Sequence, residues 1–406
     1  MKIIKKKKLL LIIFLSYFLF INFLHNDFKT EVLYHSQINS TKISYFYDAS
    51  NELKEIQKYI DTCFNDTLID NNKIFYPSNN PRISVIISVY NGEGYLRTSL
   101  LSVQNQDFKD IEILLIDDGS LDNSVKLIKE IMSKDPRIKL YQNIINRGIL
   151  YTKIKGIMNA KGKYILLLDE DDIYVQRDAF STLYNEAEKN DLDLLNFGIM
   201  SSRQKTINLT YNRAKNEFPM IFQPELRKKM FNYNSKGEIF FVNGLLTNYF
   251  IKRNIFIKII NQIDEKYLKE KMNFHDDYVF FFLLTRMAYN LKKIDRIFYL
   301  VFRGWNETNK NIEFRIKEKY KNRDFNRCNS FLNFIDFILN KTENNYSDKK
   351  IAFFSLDKWF LSDFCRKYNQ TLEKAINISN KFLENEYIND TSKEKIKSFL
   401  NEVYYN

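Results

Sequence analysis

The chain has 406 residues, enough for one large domain with extensions or for two or three domains, and 45% of them are hydrophobic, so a sizeable core can form. The net charge of +12 includes Lys2, Lys5, Lys6, Lys7 and Lys8; the rest of the excess is spread along the chain as on a solvated surface, which argues against nucleic-acid binding. The three cysteines, Cys63, Cys328 and Cys365, lie far apart without metal-ligand spacing and are too few for a disulfide framework.

The first element is an apolar run of 16 residues, Leu9 to Leu24, directly behind four lysines. Crossing a bilayer takes about 20 apolar residues. The run is slightly short, but flanking lysines can snorkel to the interface. The following His25-Asn26-Asp27-Phe28 lacks the small residues of a cleavage site, so a retained signal anchor is expected. Positive charge stays on the cytosolic side. The expectation is a single-pass type II membrane protein, its bulk in the Golgi or ER lumen if the source is a eukaryote. Sequons at Asn39, Asn65, Asn208 and Asn306 add slight support. Residues 1–29 thus read as a cytosolic tail and anchor helix. Residues 30–80 read as a polar stem or linker, closed by Pro77 and Pro81, in which Ile56 and Ile60 suit a short helix.

From residue 81 the pattern changes. Ile83 to Val89 is a β-branched run typical of a buried strand, and Tyr90-Asn91-Gly92-Glu93-Gly94 turns the chain into a helical stretch with Leu96, Leu100 and Val103 on one face. Ile111 to Ile116 predicts a second strand that ends in Asp117-Asp118-Gly119-Ser120. A helix over 123–132, a strand at Ile138 to Tyr141 and a helix after Gly148 follow. Tyr164 to Leu168 predicts a fourth strand ending in Asp169-Glu170-Asp171-Asp172, then come a helix to about Lys189 and a fifth strand at Asp193 to Phe197. Strands alternating with ten-residue helices imply an α/β, Rossmann-like, mostly parallel sheet with helices on both faces. Ligands bind such sheets outside the carboxyl ends of the strands, where every polar motif named here falls. Residues from about 313 carry three- and four-residue apolar spacing, as at Phe331, Phe334, Phe337 and Ile338, and read as a helical C-terminal region.

Four adjacent carboxylates at 169–172 repel one another, and a hard cation such as Mg²⁺ or Mn²⁺ would offset the repulsion and bridge a diphosphate. One or two of them would also suit the start of the next helix. Asp118 can accept hydrogen bonds from a base or ribose, or serve only a turn. Arg147 and the helix after Gly148 can hold phosphate, or form a surface turn. Asp276 and Asp277 precede the apolar run Val279 to Leu284; a carboxylate there suits a general base, or a helix cap. His275, without a partner histidine, reads as a neighbour of that site.

Taken in order, these motifs resemble the family 2 glycosyltransferases, which have the GT-A fold. The likeness covers roughly residues 81–303. It rests on Ile83 to Asn91 as the opening strand, with Ser88 where proline is usual. It rests further on Asp117 to Ser120 with Asp122-Asn123-Ser124, on Asn146-Arg147-Gly148, on Lys161 to Tyr164 and on Leu168 to Asp172. The resemblance implies a GT-A domain over 81–305, with a donor-binding half at 81–200 and an acceptor half at 201–305, followed by the helical region 306–406. It implies that Tyr90, Asn91, Glu93 and Asp118 hold the nucleotide. Arg147 and Lys153 are expected near the donor phosphates, although Lys153 stands where many members have arginine. Asp169 is expected on the ribose or the metal, Asp171 on a Mn²⁺ or Mg²⁺ ion, and Asp277 as catalytic base beside Asp276, where the family often has glutamate. No QxxRW motif occurs, which argues against a processive polymer synthase.

The implied activity is metal-dependent, inverting transfer of a hexosyl or N-acetylhexosaminyl group from a nucleotide-sugar, expected to be a UDP-sugar, to a hydroxyl of a glycan, protein or lipid. Two other classes compete. A sugar nucleotidylyltransferase would need a basic Gly-rich loop where Gly92-Glu93-Gly94 carries an acid. A non-catalytic glycan- or nucleotide-sugar-binding protein on a transferase fold would have no need of intact Asp118, Asp169, Asp171 and Asp277.

Overall fold

A computed structural model of the chain describes residues 49–64, 75–202, 218–223, 225–226, 231–233, 239–241, 245–269, 272, 276–302, 323–341, 369–384 and 390–405. The apolar run Leu9 to Leu24, the four sequons and His275 lie outside the described residues. Among the described residues no helix is long and apolar enough to cross a membrane.

Four strands form the half expected to bind the donor: β1 (Ile83–Val89), β2 (Ile111–Asp117), β3 (Ile138–Gln142) and β4 (Tyr164–Asp169). They lie in the order β3-β2-β1-β4, all parallel. Side chains alternate between two cores, as strand geometry requires. Ile86, Leu114, Ile116, Ile165 and Leu167 face one core, which also holds Leu150, Ile154 and Ile157 of the helix Ile149–Asn159. Val85, Ile87, Ile113, Leu115, Leu166 and Leu168 face the other, with Leu96, Leu100 and Val103 of the helix Leu96–Gln104 and Phe180 and Leu183 of the helix Ala179–Lys189. Helices therefore cover both faces, as expected.

Beyond β4 the expectation of a mostly parallel sheet needs correction. The short strand β5 (Ile173–Tyr174) follows the acidic turn, and the predicted fifth strand extends over Leu194–Ser202 as β6 without reaching β4. Between them lies β10 (Tyr249–Lys252), antiparallel to both. The long β11 (Asn290–Phe302) runs parallel to β6 and pairs antiparallel with β5 and with β7 (Phe218–Phe222). The sheet is mixed because the later strands return from the far half of the chain, which a strand-by-strand periodicity does not reveal. A separate two-stranded ribbon joins β8 (Phe231–Tyr233) to β9 (Ile239–Phe241).

Part of the span expected to be a stem is also corrected. Residues Ala49–Phe64 form a 16-residue helix with Leu53, Ile56, Ile60 and Cys63 fully buried. The Tyr59 hydroxyl donates to the carbonyl of Ser102 at 2.9 Å and Gln176 donates to Glu52 at 2.9 Å, so the helix packs on the segment that holds β1 to β5. Its apolar residues recur at three- and four-residue spacing, and a polar outer face hides that pattern in the composition. At the other end, the helices Arg323–Lys341, Asn369–Leu383 and Asp390–Tyr405 supply Leu332, Phe334, Ile338, Ile378 and Phe399 to the first core. The C-terminal helices thus continue the core of the sheet.

A polar lock holds the amino-terminal edge of the sheet. Glu112 accepts from Ser84 at 2.6 Å, from Lys139 at 2.7 Å and from the backbone of Lys161 at 2.5 Å, and Gly162 N–H donates to Ser84 Oγ at 2.8 Å. A Cβ on Gly162 would stand 2.5 Å from Ser84 N and 2.7 Å from Ile83 C, both backbone atoms of β1. Gly162→Ala must separate β4 from β1 at its start, and overpacking of this kind costs about 3 kcal/mol. A lowered urea midpoint at unchanged slope checks this; an unchanged midpoint contradicts it.

Candidate active site

The site lies at the carboxyl edge of the sheet. After β1 the chain passes Tyr90, half-buried, to Asn91, which takes a left-handed φ of 56°. Asn91 N–H donates to Ser120 Oγ at 3.0 Å, and its Oδ1 accepts from Leu121 N–H at 2.8 Å. Gly92 N–H donates to Ser124 Oγ at 2.8 Å and Glu93 N–H to Asp122 at 3.0 Å. The Glu93 carboxylate accepts from the backbone and side chain of Asn123, at 3.3 and 2.8 Å. The loops after β1 and β2 are therefore knitted together. Asn91 and Glu93, expected on the nucleotide, are engaged in holding these two loops together.

Asp118 is nine-tenths or more buried and performs a similar service one loop further on. Its carboxylate accepts from Asn143 Nδ2 and Arg147 N–H, both at 2.8 Å, and from Gly148 N–H at 2.9 Å. Burial raises its pKa against these hydrogen bonds. Gly148, at φ 90°, starts the helix Ile149–Asn159. Asp118 thus fixes the turn that carries Arg147 into that helix, while Arg147 lays its guanidinium over the Tyr151 ring at 4.7 Å.

The acidic turn after β4 divides its duties. The Ser99 hydroxyl is shared between the carbonyls of Glu170, at 2.7 Å, and Asp172, at 2.5 Å. Asp172 accepts from the Tyr299 hydroxyl at 2.8 Å, and the same hydroxyl receives Asp169 N–H at 3.2 Å. Asp169 Oδ1 is buried with no hydrogen-bond partner. Burial pushes the Asp169 carboxyl up to about 6; Lys153 opposes this, and Asp171, Glu170 and Asp276 add to it. Tyr299 sits 130 residues from Asp169, so no local pattern in the sequence could have singled it out.

The paired carboxylates Asp276 and Asp277 open the helix Asp276–Met287, where the helix N-terminus favours negative charge. The Lys153 ammonium comes from the facing helix, 2.7 Å from Asp276 Oδ2 and 3.1 Å from Asp277 Oδ1. Asp277 Oδ2 also accepts from Leu246 N–H, at 3.2 Å, in the 3-10 turn Leu246–Asn248 that feeds β10. Burial pushes Asp277 up to about 7; Lys153 and the Leu246 amide oppose this, while Asp276 and Asp169 reinforce it. Burial by itself would lower the Lys153 pKa, but Asp276, Asp277 and Asp169 hold it well above its usual value. Carboxylates from residues 169 and 276–277 thus converge on one buried ammonium. Lys153, expected on donor phosphate, is engaged with the carboxylate pair.

Among the described residues no group of three or more His, Cys, Asp or Glu side chains is arranged to hold a metal by itself. A magnesium-like ion needs less, because it takes one or two carboxylates and completes its shell with water and substrate phosphate. The unpartnered Oδ1 of Asp169, with Asp171 as its electrostatic neighbour, fits that smaller demand.

Residues 84–254 match the model of glycosyl transferase family 2. The chain is 35% identical over 147 residues to an uncharacterized glycosyltransferase of Haemophilus influenzae, a match covering 36% of this chain and 58% of that protein. It is 27% identical over 329 residues to the cholesterol galactosyltransferase of Borreliella burgdorferi, covering 79% of this chain and 83% of the relative. The fold is similar to the crystal structure of S. aureus TarS 1-349 in complex with UDP-GlcNAc, at 14% identity and a TM-score of 0.51 over 77% of this chain and 83% of that one.

Proposed function

We propose a function from one premise: through residues 84–254 this chain belongs to the family 2 glycosyltransferases. The proposed activity is transfer of a hexosyl or N-acetylhexosaminyl group from a UDP-sugar to an acceptor hydroxyl, with inversion at the anomeric carbon. The observation that carries it is the meeting of Asp169, Asp276 and Asp277 around Lys153 at the carboxyl edge of the sheet. General-base chemistry needs a carboxyl whose pKa lies near the working pH, and burial in this cluster pushes Asp277 up to about 7.

In the proposed reaction Asp277 takes the proton of the acceptor hydroxyl. The acceptor oxygen forms its bond to the anomeric carbon as the bond from that carbon to the diphosphate breaks. The electron pair leaves with the nucleoside diphosphate. One displacement inverts the centre. Asp169 and Asp171 would hold a Mn²⁺ or Mg²⁺ ion, which supplies Lewis-acid stabilisation of the departing charge. The positive end of the helix Ile149–Asn159, positioned by the contacts of Asp118 to the Arg147 and Gly148 amides, would favour the departing anion. Tyr90 and the Asn91 loop line the nucleotide end.

Two relatives, the cholesterol galactosyltransferase of Borreliella burgdorferi and a GalNAc(5)-diNAcBac-PP-undecaprenol beta-1,3-glucosyltransferase of Campylobacter jejuni, favour a lipid or lipid-linked glycan among the possible acceptors. A membrane location through Leu9 to Leu24 belongs to the same proposal. The test is a screen of nucleotide-sugars with Mn²⁺ that reads released nucleoside diphosphate. Release of UDP from at least one UDP-sugar, lost on chelation, is expected. No nucleoside diphosphate from any donor, across acceptor classes, would overturn the proposal.

A further inference from the structure

Lys153 occupies the helix position at which the family resemblance suggests a contact to donor phosphate, yet its ammonium is committed elsewhere. Its side chain is 4% exposed, and those of Asp276 and Asp277 are 9% and 15% exposed. The contacts of 2.7 and 3.1 Å span 123 and 124 residues of sequence and tie the helix Ile149–Asn159 to the helix Asp276–Met287. Moving the ammonium to a diphosphate would leave both buried carboxylates uncompensated, which is strongly unfavourable.

The geometry points to Lys153 as a positioning residue that orients Asp277 for the acceptor proton and takes no part in holding the donor. This deepens the proposed function and rests on Asp277 being the base. Asp276, the more buried carboxylate, keeps the ammonium in place. Lys153 then fixes Asp277 Oδ1 while Leu246 N–H fixes Oδ2. A carboxylate oxygen has two lone pairs, so each can still accept the hydroxyl of an incoming acceptor. Among the described residues Asp169, at the end of β4, also acts on this cluster. Held at both oxygens, Asp277 keeps a single orientation before the acceptor arrives, which is the preorganisation that transfer requires.

The test uses the full chain in detergent or nanodiscs with the donor identified by the screen, comparing Lys153→Gln and Lys153→Arg with the unaltered protein. Glutamine still donates hydrogen bonds to both carboxylates and so preserves the fold, which a melting curve checks. The expected result for Lys153→Gln is a kcat lower by about 10- to 100-fold with the donor KM within about threefold, the signature of an interaction that matters in the transition state and not in donor binding. Lys153→Arg retains the charge and is expected to recover most of the lost kcat. A tenfold rise in donor KM with kcat retained would make Lys153 a phosphate ligand and overturn the inference. An unchanged kcat in Lys153→Gln, or equal losses in both variants, would overturn it as well. Failure of the underlying reading looks different: Asp277→Asn would then turn over normally, whatever the Lys153 variants do.

Discussion

Asp277→Asn is expected to lower kcat by about 10² to 10⁴ fold, the usual share of a general base, with donor binding intact. Asparagine has nearly the same shape and can still accept at the Leu246 amide, so what it removes is the capacity to take a proton. The unaltered enzyme should gain kcat/KM as pH rises through about 7, because burial, helped by Asp276 and Asp169, holds the Asp277 proton to that pH and only the deprotonated form can act. The same displacement makes a stability statement. A carboxyl whose folded pKa stands above its unfolded value contributes stability that is fully present below the unfolded pKa and is lost as pH rises through the folded one. Ionised Asp277 therefore weakens the fold at pH 8, and Asp277→Asn is expected to melt no lower than the unaltered protein there. Steady-state rates across pH 5.5 to 9 and melting at pH 5 and 8 check both halves. A dead variant that also melts well below the unaltered protein at pH 8 would mean that the structure, and not the chemistry, has been lost.

The strands of residues 83–169 could be read from the sequence because their signals are local. β1, β2 and β4 are buried along nearly their whole length and appear as largely apolar runs, the edge strand β3 is short and half-buried, and each expected boundary falls within a residue of the observed strand. The acidic motifs at 117–118 and 169–172 follow directly from those strand ends. What stayed hidden depends on partners far along the chain. β10, which begins at Tyr249, enters between β4 and β6 although β6 ends at Ser202, so the mixed character of the sheet has no signature in any window around β4. Tyr299, which joins the Asp169 amide to the Asp172 carboxylate, lies on β11. Lys153 illustrates the point for side-chain roles. Its motif was legible, but its true neighbours, Asp276 and Asp277, come from a segment more than 120 residues away. The helix Ala49–Phe64 was obscured for a simpler reason: four buried apolar residues among charged ones have the composition of a linker and the spacing of a packed helix.

Asp169→Asn is the variant expected to separate the metal from the rest of the machinery. Asp169 Oδ1 is buried without a hydrogen-bond partner, in a place where burial and the carboxylates of Asp171, Glu170 and Asp276 raise its pKa and Lys153 opposes them. A buried oxygen in that condition is costly unless something binds it, and a divalent cation is the group that would. Loss of one carboxylate ligand and of the charge it brings should remove several kcal/mol of transition-state stabilisation, or roughly 10³-fold in kcat/KM. The sharper measurement needs no turnover. Mn²⁺ titrated into the unaltered chain with UDP present should bind at one site, and Asp169→Asn should weaken that binding at least about tenfold. Without metal the sign reverses for stability. Asp169 carries a folded pKa raised to about 6, so its contribution is lost as pH rises past that value. The neutral asparagine should then melt at or above the unaltered protein at pH 8, and saturating Mn²⁺ with UDP should stabilise the unaltered protein more than the variant. Equal Mn²⁺ affinity in the two proteins would remove Asp169 from the metal site and leave its unpartnered oxygen without a role in the reaction.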